Sequence, residues 1–143
     1  MTTDPKLADY VAQRNVGALA TIKRDGRPQL SNVSYTYDAD GNHVKMSLTA
    51  GRAKVANLRR DPRASLLVQS PDGWTYAVVE GDVTLSATAA DPHDATVDEL
   101  VEVFLAISGK DHPDWDEYRQ AMVDDRRLVA RIDVTHAYGL PAR

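Results

Sequence analysis

Apolar and polar residues alternate over long stretches of the chain, and this period of two predicts β-strands. The alternation is clearest over 28–37 and 43–49, and the mostly apolar run 16–23 precedes them as a first strand. Turn sequences with Gly26 and Gly41 separate the runs, so we expect an antiparallel meander of three strands. Three more strands are predicted, over 63–70, 74–86 and 127–137.

One of these strands departs from simple alternation. In 74–86 the apolar set is Tyr76 and Val78 at first and Val83 and Leu85 afterwards. A change of face near Gly81 predicts a bulge or bend, which a closing sheet needs.

Helical periodicity is confined to short segments between the strands. A first helix is predicted from a cap at Thr3 to near Asn15, and a second over 52–60, before Asp61-Pro62. The longest apolar stripe predicts a helix from Asp91-Pro92, as cap and first residue, to Gly109. Another short helix is expected from about Pro113.

Many antiparallel strands with few helices predict a mainly β (α+β) fold. We expect a closed or nearly closed six-stranded barrel with peripheral helices, and a β-sandwich is the alternative. At 143 residues, the chain fits a single domain spanning 1–143.

Composition narrows the function classes. The chain has no cysteine, which excludes disulfides and thiolate chemistry and fits a reducing cytosol. No signal peptide and no membrane-length apolar run is found, so a cytoplasmic protein without membrane contact is expected. The net charge of −4 argues against a general nucleic-acid binder.

Several common catalytic arrangements are missing from the sequence. There is no glycine-rich phosphate loop, dinucleotide fingerprint or Gly-x-Ser-x-Gly elbow. The four histidines lack metal-ligand spacing, so no metal is expected, and no catalytic residue can be named. If the protein is an enzyme, a bound cofactor is expected to carry the reactive group.

The best candidate site is a cluster of cations between residues 52 and 63. A predicted strand ends at Thr49, the chain turns, and a helix begins at Arg52 with Lys54 in its first turn. The free amides of a helix N-terminus favour anions, and Arg and Lys add full charges, so a phosphate site is predicted. The hydroxyls of Ser47 and Thr49 lie on one strand face and could complete it; a solvated helix face is the alternative.

At these residues the chain resembles the pyridoxamine-phosphate-oxidase-like, flavin-binding split-barrel superfamily, and more narrowly its actinobacterial branch that uses the deazaflavin F420. The matching segments run in order along almost the whole chain. They are 17–21, 25–33, Arg52-Ala53-Lys54, 57–64, Asp72-Gly73-Trp74 with Tyr76, Glu80-Gly81, Asp114-Trp115 with Tyr118-Arg119, and Tyr138-Gly139-Leu140-Pro141.

The resemblance implies a six-stranded split barrel and a homodimer with two cofactor sites at the subunit interface. It implies that Arg52 and Lys54 hold the cofactor phosphate, assisted by Ser47 and Asn57. Residues expected to border the ring system are Gln29, Ser31 and Asn32. Trp74 is expected to reach the partner's site or to line the pocket mouth; an exposed turn aromatic that packs on its own barrel is the alternative. The C-terminal 140–143 is expected to cover the partner's site.

The resemblance also implies an F420(H2)-dependent reductase that transfers a hydride to a small conjugated organic acceptor. Lys23, Arg59 and Arg60 could suit the oligoglutamate tail of F420. Three alternatives stay open: an FMN-binding enzyme of the pyridoxamine-phosphate-oxidase type, a non-catalytic F420 carrier or sensor, and a barrel without a cofactor.

Overall fold

A computed structural model describes residues 3–140, which form seven strands and four helices. In chain order they are α1 (Pro5–Gln13), β1 (Val16–Ile22), β2 (Pro28–Ser34), β3 (Thr36–Asp38), β4 (His43–Thr49), α2 (Ala53–Arg60), β5 (Arg63–Gln69), β6 (Tyr76–Leu85), α3 (Ala95–Ser108), α4 (Trp115–Asp124) and β7 (Arg127–Leu140). The expected mainly β class is confirmed.

All seven strands belong to one antiparallel sheet with the order β2-β1-β5-β6-β7-β4-β3. β2 and β3 are successive in the chain but lie at opposite edges, and only Tyr35 separates them. The sheet must therefore curl until its two edges meet at Tyr35. The result is the expected split barrel, with seven strands in place of six.

The barrel interior is filled by apolar residues that alternate along the strands. Leu19, Val44, Met46, Leu66 and Ile132 come from four different strands and are fully buried in one cluster. Successive side chains of a strand point to opposite faces, so alternate residues of each strand reach this core. A second apolar cluster lies between α3, α4 and β7.

The predicted meander is wrong in one respect. The run 28–37 divides at Tyr35, and its two parts pair with different strands: β2 with β1, and β3 with β4. The Tyr35 side chain is fully buried, its hydroxyl donates to the Val11 carbonyl at 2.6 Å, and its backbone N–H donates to the Asn15 carbonyl. These bonds to α1 and the segment after it hold the corner where the chain changes edges.

The predicted irregularity near Gly81 exists, but the extra residue lies in β7. The pairing of β6 with β7 shifts between Glu80 and Gly81, and Thr135 is left without an opposite residue. On β7 the core face is accordingly occupied up to Val134 and again at Ala137. In β6 the core-facing alternation continues unchanged, so the predicted change of face in that strand is wrong.

Helix boundaries differ from the prediction where an aspartate offers a better cap. α3 begins at Ala95, because the Asp94 carboxylate accepts from the amides of Ala90, Asp91 and Val97. These bonds lower the Asp94 pKa, the Ala90 amide contributing most. Asp91 and Pro92 therefore precede the helix as a turn.

The other helix and strand ends need smaller corrections. α1 is capped by Asp4 instead of Thr3 and ends at Gln13. α2 begins one residue later than predicted, with Arg52 as its N-cap. β6 begins at Tyr76, because Thr75 is still part of the preceding turn, and β7 continues to Leu140.

Two further observations concern the chain as a whole. The C-terminal segment 140–143 is expected to cover a partner's site, and residues 141–143 of it lie outside the described residues. They include Pro141 of the last matching motif. Within residues 3–140, every helix is too short or too polar to cross a membrane.

Candidate functional site

The predicted phosphate site lies in the gap of the barrel between β2 and β4, which are neighbours in space without pairing. A cavity of about 420 Å³ occupies this gap. Asn32 and Ser34 line it from β2, Ser47 and Thr49 from β4, and the start of α2 closes one end. The split between two unpaired edges thus creates the space, and the strand-to-helix turn after Thr49 places charged residues in it.

The N-terminus of α2 is open to a ligand. Arg52 is its N-cap, and no side chain makes a capping hydrogen bond there. The first amides of an uncapped helix carry a partial positive charge and have no partner within the helix. An anion entering the cavity would therefore meet backbone donors as well as side-chain charges.

Arg52 and Lys54 line the cavity, and neither forms an ion pair within residues 3–140. The Lys54 ammonium donates to the Ser31 hydroxyl at 3.0 Å, its only hydrogen bond in the described chain. The Lys54 pKa is lowered, mainly by burial and next by the positive charges of Arg52 and Arg127. The cations therefore repel each other in the absence of an anion.

Arg127 is a third cation of this cavity, and sequence analysis missed it. It begins β7 directly opposite Thr49, so the pairing of β7 with β4 brings it beside the turn. Its Nη1 is 3.4 Å from the Ser47 carbonyl, its buried Nε has no hydrogen-bond partner, and the nearest carboxylate, of Asp125, is 3.9 Å from Nε. Only strand pairing could reveal it, since Arg127 and Lys54 are far apart in sequence.

A second cavity, of about 760 Å³, lies along the other side of α2, beside the β1–β2 hairpin. Two predicted site residues, Gln29 and Asn57, line this cavity instead of the first. Four cations surround it: Lys23, Arg24, Arg59 and Arg60. Its lining contains no carboxylate, although Asp25 is 4.0 Å from the Lys23 ammonium.

The predicted residues are therefore divided among three places. The first cavity is lined by Asn32, Ser47, Arg52 and Lys54, and Ser31 touches it through its bond to Lys54. Gln29 and Asn57 lie at the second cavity. Trp74 lines neither cavity, and 76% of its surface is exposed at the turn before β6.

Within residues 3–140, Trp74 is one of five large hydrophobic side chains that remain exposed. The others are Val16, Leu30, Tyr138 and Leu140. All four lie on strands, on the face of the sheet that points away from the barrel core, where half-buried Leu67 and buried Val78 continue the apolar surface. We call this surface the outer apolar face.

Comparison with known proteins places the chain in a family. A family model described as pyridoxamine 5'-phosphate oxidase matches residues 3–140. Solved structures give the same fold. A conserved hypothetical protein from Mycobacterium tuberculosis superposes with a TM-score of 0.76 at 23% identity, over 99% of this chain and 86% of the other.

Two further structures carry names that describe a cofactor. One, titled F420 reductase, has a TM-score of 0.63 and 23% identity, over 91% of this chain and 94% of its own. The other is a pyridoxamine 5'-phosphate oxidase-related, FMN-binding protein from Nostoc punctiforme, with a TM-score of 0.63 and 15% identity over 99% and 87%. At these identities the likeness concerns the fold.

Proposed function

The chain belongs to the pyridoxamine 5'-phosphate oxidase family, and from that premise we propose that it is an F420(H2)-dependent oxidoreductase acting on a small conjugated organic acceptor. The observation that carries the proposal is the cluster of Arg52, Lys54 and Arg127 around one cavity whose lining contains no carboxylate, with only Asp125 at 3.9 Å from the Arg127 Nε. Such a cluster is unfavourable unless an anion neutralises it. A cofactor phosphate supplies that anion.

In this proposal the three cations and the α2 amides hold the phosphate, and Ser47 offers a hydroxyl beside them. When bound, F420 supplies two-electron hydride chemistry that the side chains themselves lack. The protein then orients the cofactor and excludes water from the gap between β2 and β4. Solvent is the proposed source of the proton.

The second cavity favours F420 over FMN. F420 continues beyond its phosphate into a lactyl-oligoglutamate tail, whereas FMN ends at the phosphate. The cations Lys23, Arg24, Arg59 and Arg60 flank a cavity along the side of the same helix whose N-terminus faces the phosphate cavity. A chain of carboxylates leaving the phosphate could follow α2 into this cationic surface.

One observation favours FMN as the second candidate. The phosphate of FMN is a monoester with nearly two negative charges at neutral pH, whereas the tail of F420 occupies one phosphate oxygen. Three cations in the first cavity match the larger charge. An FMN enzyme of the pyridoxamine-phosphate-oxidase type is therefore the alternative, and a non-catalytic F420 carrier or sensor is the alternative from another class.

The cofactor proposal is tested by titrating the pure protein with F420 and with FMN while following fluorescence. We expect binding of F420 at micromolar concentration or below, and weaker binding of FMN. Preference for FMN would transfer the proposal to the second candidate, and binding of neither would reject both. Turnover of reduced F420 with conjugated acceptors then separates a reductase from a carrier.

We also propose that the protein acts as a homodimer through the outer apolar face. With Leu67 and Val78 between them, its exposed residues extend over the consecutive strands β2, β1, β5, β6 and β7, and apolar patches of this kind mark protein interfaces. A second copy of this sheet would cover the apolar side chains of both subunits. Trp74, at the turn between β5 and β6, would then lie near the partner's surface.

The dimer is tested by sedimentation of the wild type and of Leu140→Glu, which places a charge on the outer apolar face. We expect a dimeric wild type and a monomeric variant with weaker cofactor binding. Ala39→Glu, in the exposed turn before β4, is the matched control and should stay dimeric. A monomeric wild type at cofactor-binding concentrations would reject the shared site.

A further inference from the structure

Four polar side chains form a closed network at the edge of the second cavity. Arg60 Nη2 donates to Asn57 Oδ1 at 3.0 Å and to the Ile22 carbonyl at 2.7 Å. Asn57 Nδ2 donates to Thr21 Oγ1 at 3.2 Å and to Gln29 Oε1 at 3.1 Å. Thr21 Oγ1 completes the network by donating to Gln29 Oε1 at 3.2 Å.

The direction of every hydrogen bond in this network follows from Arg60. A guanidinium can only donate, so the oxygen of the Asn57 amide must face it. The Asn57 nitrogen must then face Thr21 and Gln29, and the group of Gln29 that meets it must be the oxygen. The inverted Gln29 amide would place two N–H donors against each other.

This direction leaves one end of Gln29 free. Its Oε1 accepts two hydrogen bonds, whereas its Nε2 donates none within residues 3–140. Gln29 lines the second cavity and is half-buried, whereas Asn57, at the same cavity, and Thr21 are buried. The network therefore presents a donor-only group, the Gln29 –NH2, to a ligand.

Resting on the proposed function, we propose that Gln29 recognises an oxygen acceptor of the cofactor and that Arg60, Asn57 and Thr21 are positioning residues that fix its amide. This gives Asn57 a role different from direct phosphate binding, because its amide nitrogen is already engaged by Thr21 and Gln29. The acceptor is a carbonyl or carboxylate oxygen, which occurs both on the ring system and on the glutamate tail.

Two isosteric substitutions test the ligand contact. Gln29→Glu keeps an oxygen facing Asn57 and Thr21 and replaces the free –NH2 by a carboxylate oxygen. We expect cofactor binding to weaken about tenfold or more, because a donor facing an acceptor is exchanged for a negative charge. Binding of inorganic phosphate, which needs only the first cavity, should change little. Unchanged cofactor affinity in Gln29→Glu would overturn the contact.

Ligand fragments identify which acceptor is used. The deazaflavin riboside has the ring but neither phosphate nor tail. If Gln29→Glu weakens this riboside, the acceptor is a ring carbonyl; if it weakens only tailed F420, the acceptor is a tail carboxylate.

The positioning role is tested with Arg60→Lys and Arg60→Met. Lysine keeps a donor-only group opposite Asn57, whereas methionine removes it and allows both amides to invert. The readout is affinity for the ligand, riboside or tailed F420, that Gln29→Glu weakens. We expect Arg60→Lys to retain most of the affinity for that ligand that Arg60→Met loses, and Asn57→Asp should resemble Arg60→Met, since it removes the donor to Gln29. Equal affinity of all three variants for that ligand would overturn the positioning role.

The orientation itself is measured without any cofactor. In 15N–1H spectra of the apo protein, the Asn57 side-chain amide protons should exchange slowly and those of Gln29 rapidly, with Asn57→Asp and Gln29→Glu giving the assignments. Slow exchange at Gln29 would overturn the orientation. If the wild type binds neither F420 nor FMN, both the proposed function and the proposed contact of Gln29 with the cofactor are rejected. The exchange pattern of the side-chain amides still tests the orientation of Gln29 in that case.

Discussion

The two ends of α2 carry similar residues in opposite circumstances. At its N-terminus Arg52 and Lys54 stand at the positive end of the helix, where cations are disfavoured, and neither has an ion-pair partner within residues 3–140. At its C-terminus Arg59 and Arg60 stand where the helix dipole favours cations, and Arg60 bonds to Asn57 and to the Ile22 carbonyl.

This contrast separates charged residues that stabilise the fold through hydrogen bonds or ion pairs from charged residues that do not stabilise it. Arg60 fastens α2 to β1, and just beyond the helix Arg63 pairs with Asp61 at 2.9 Å and lowers the Asp61 pKa. Arg52 and Lys54 have no comparable structural purpose, and Lys54 has a lowered pKa. Charges that oppose folding are the better candidates for binding a ligand.

The largest expected effect concerns ligand affinity. Replacing both Arg52 and Lys54 by alanine should weaken binding of the cofactor by about 3 kcal/mol, the scale of two charge-assisted hydrogen bonds. Fluorescence titration measures it. Arg63→Ala, which removes a cation engaged with Asp61, is the control and should bind normally. Equal affinity of the double variant and the wild type would place the phosphate elsewhere.

The next effect concerns stability, and its sign should differ between the two ends. Arg60→Met should lower the free energy of unfolding by about 1 kcal/mol, because two carbonyl oxygens lose their donor. Lys54→Met should raise it by a few tenths of a kcal/mol in the apo protein, since solvent screens most of the repulsion. Urea unfolding measures both. Destabilisation by Lys54→Met would show that this lysine supports the fold.

The smallest effect is a pH dependence of phosphate binding. The Lys54 pKa is lowered in the free protein, and a bound phosphate would raise it by stabilising the ammonium. Affinity for inorganic phosphate should therefore be highest below the Lys54 pKa of the free protein and should fall as the pH rises through that pKa. Because that pKa is lowered, the fall should begin at a pH below the usual lysine range. Calorimetric titration between pH 7.5 and 10 follows it. Lys54→Arg should remove the decrease, and a wild type without it would exclude Lys54 from the site.

The fold was largely predictable because the pattern of apolar positions coincides with burial. Every predicted strand exists, and the alternation in 43–49 identifies its buried residues, Val44, Met46 and Leu48. The division at Tyr35 could not be predicted. The apolar alternation continues through it, and the change of edges is visible only in the strand pairing and in the hydrogen bonds from Tyr35 to α1 and the segment after it.

The candidate site was predictable only where its parts are close in sequence. Ser47, Thr49, Arg52 and Lys54 belong to one strand-turn-helix segment, so their spacing indicated a common site. Arg127 joins them through strand pairing, a contact that local spacing does not encode. Gln29 and Asn57 were predicted as site residues, and their bonds to each other and to Thr21 place them at a separate cavity.

The sequence by itself determined where the strands lie, the buried face of β4 and the cationic turn after Thr49, because each depends on the period of side chains along a strand or on local helix chemistry. The tertiary structure alone decided which cations lack partners, where Arg127 lies and which end of the Gln29 amide is free. These properties depend on groups that are far apart in the chain. Such groups come close enough to interact by charge or by hydrogen bonding only in the curled sheet.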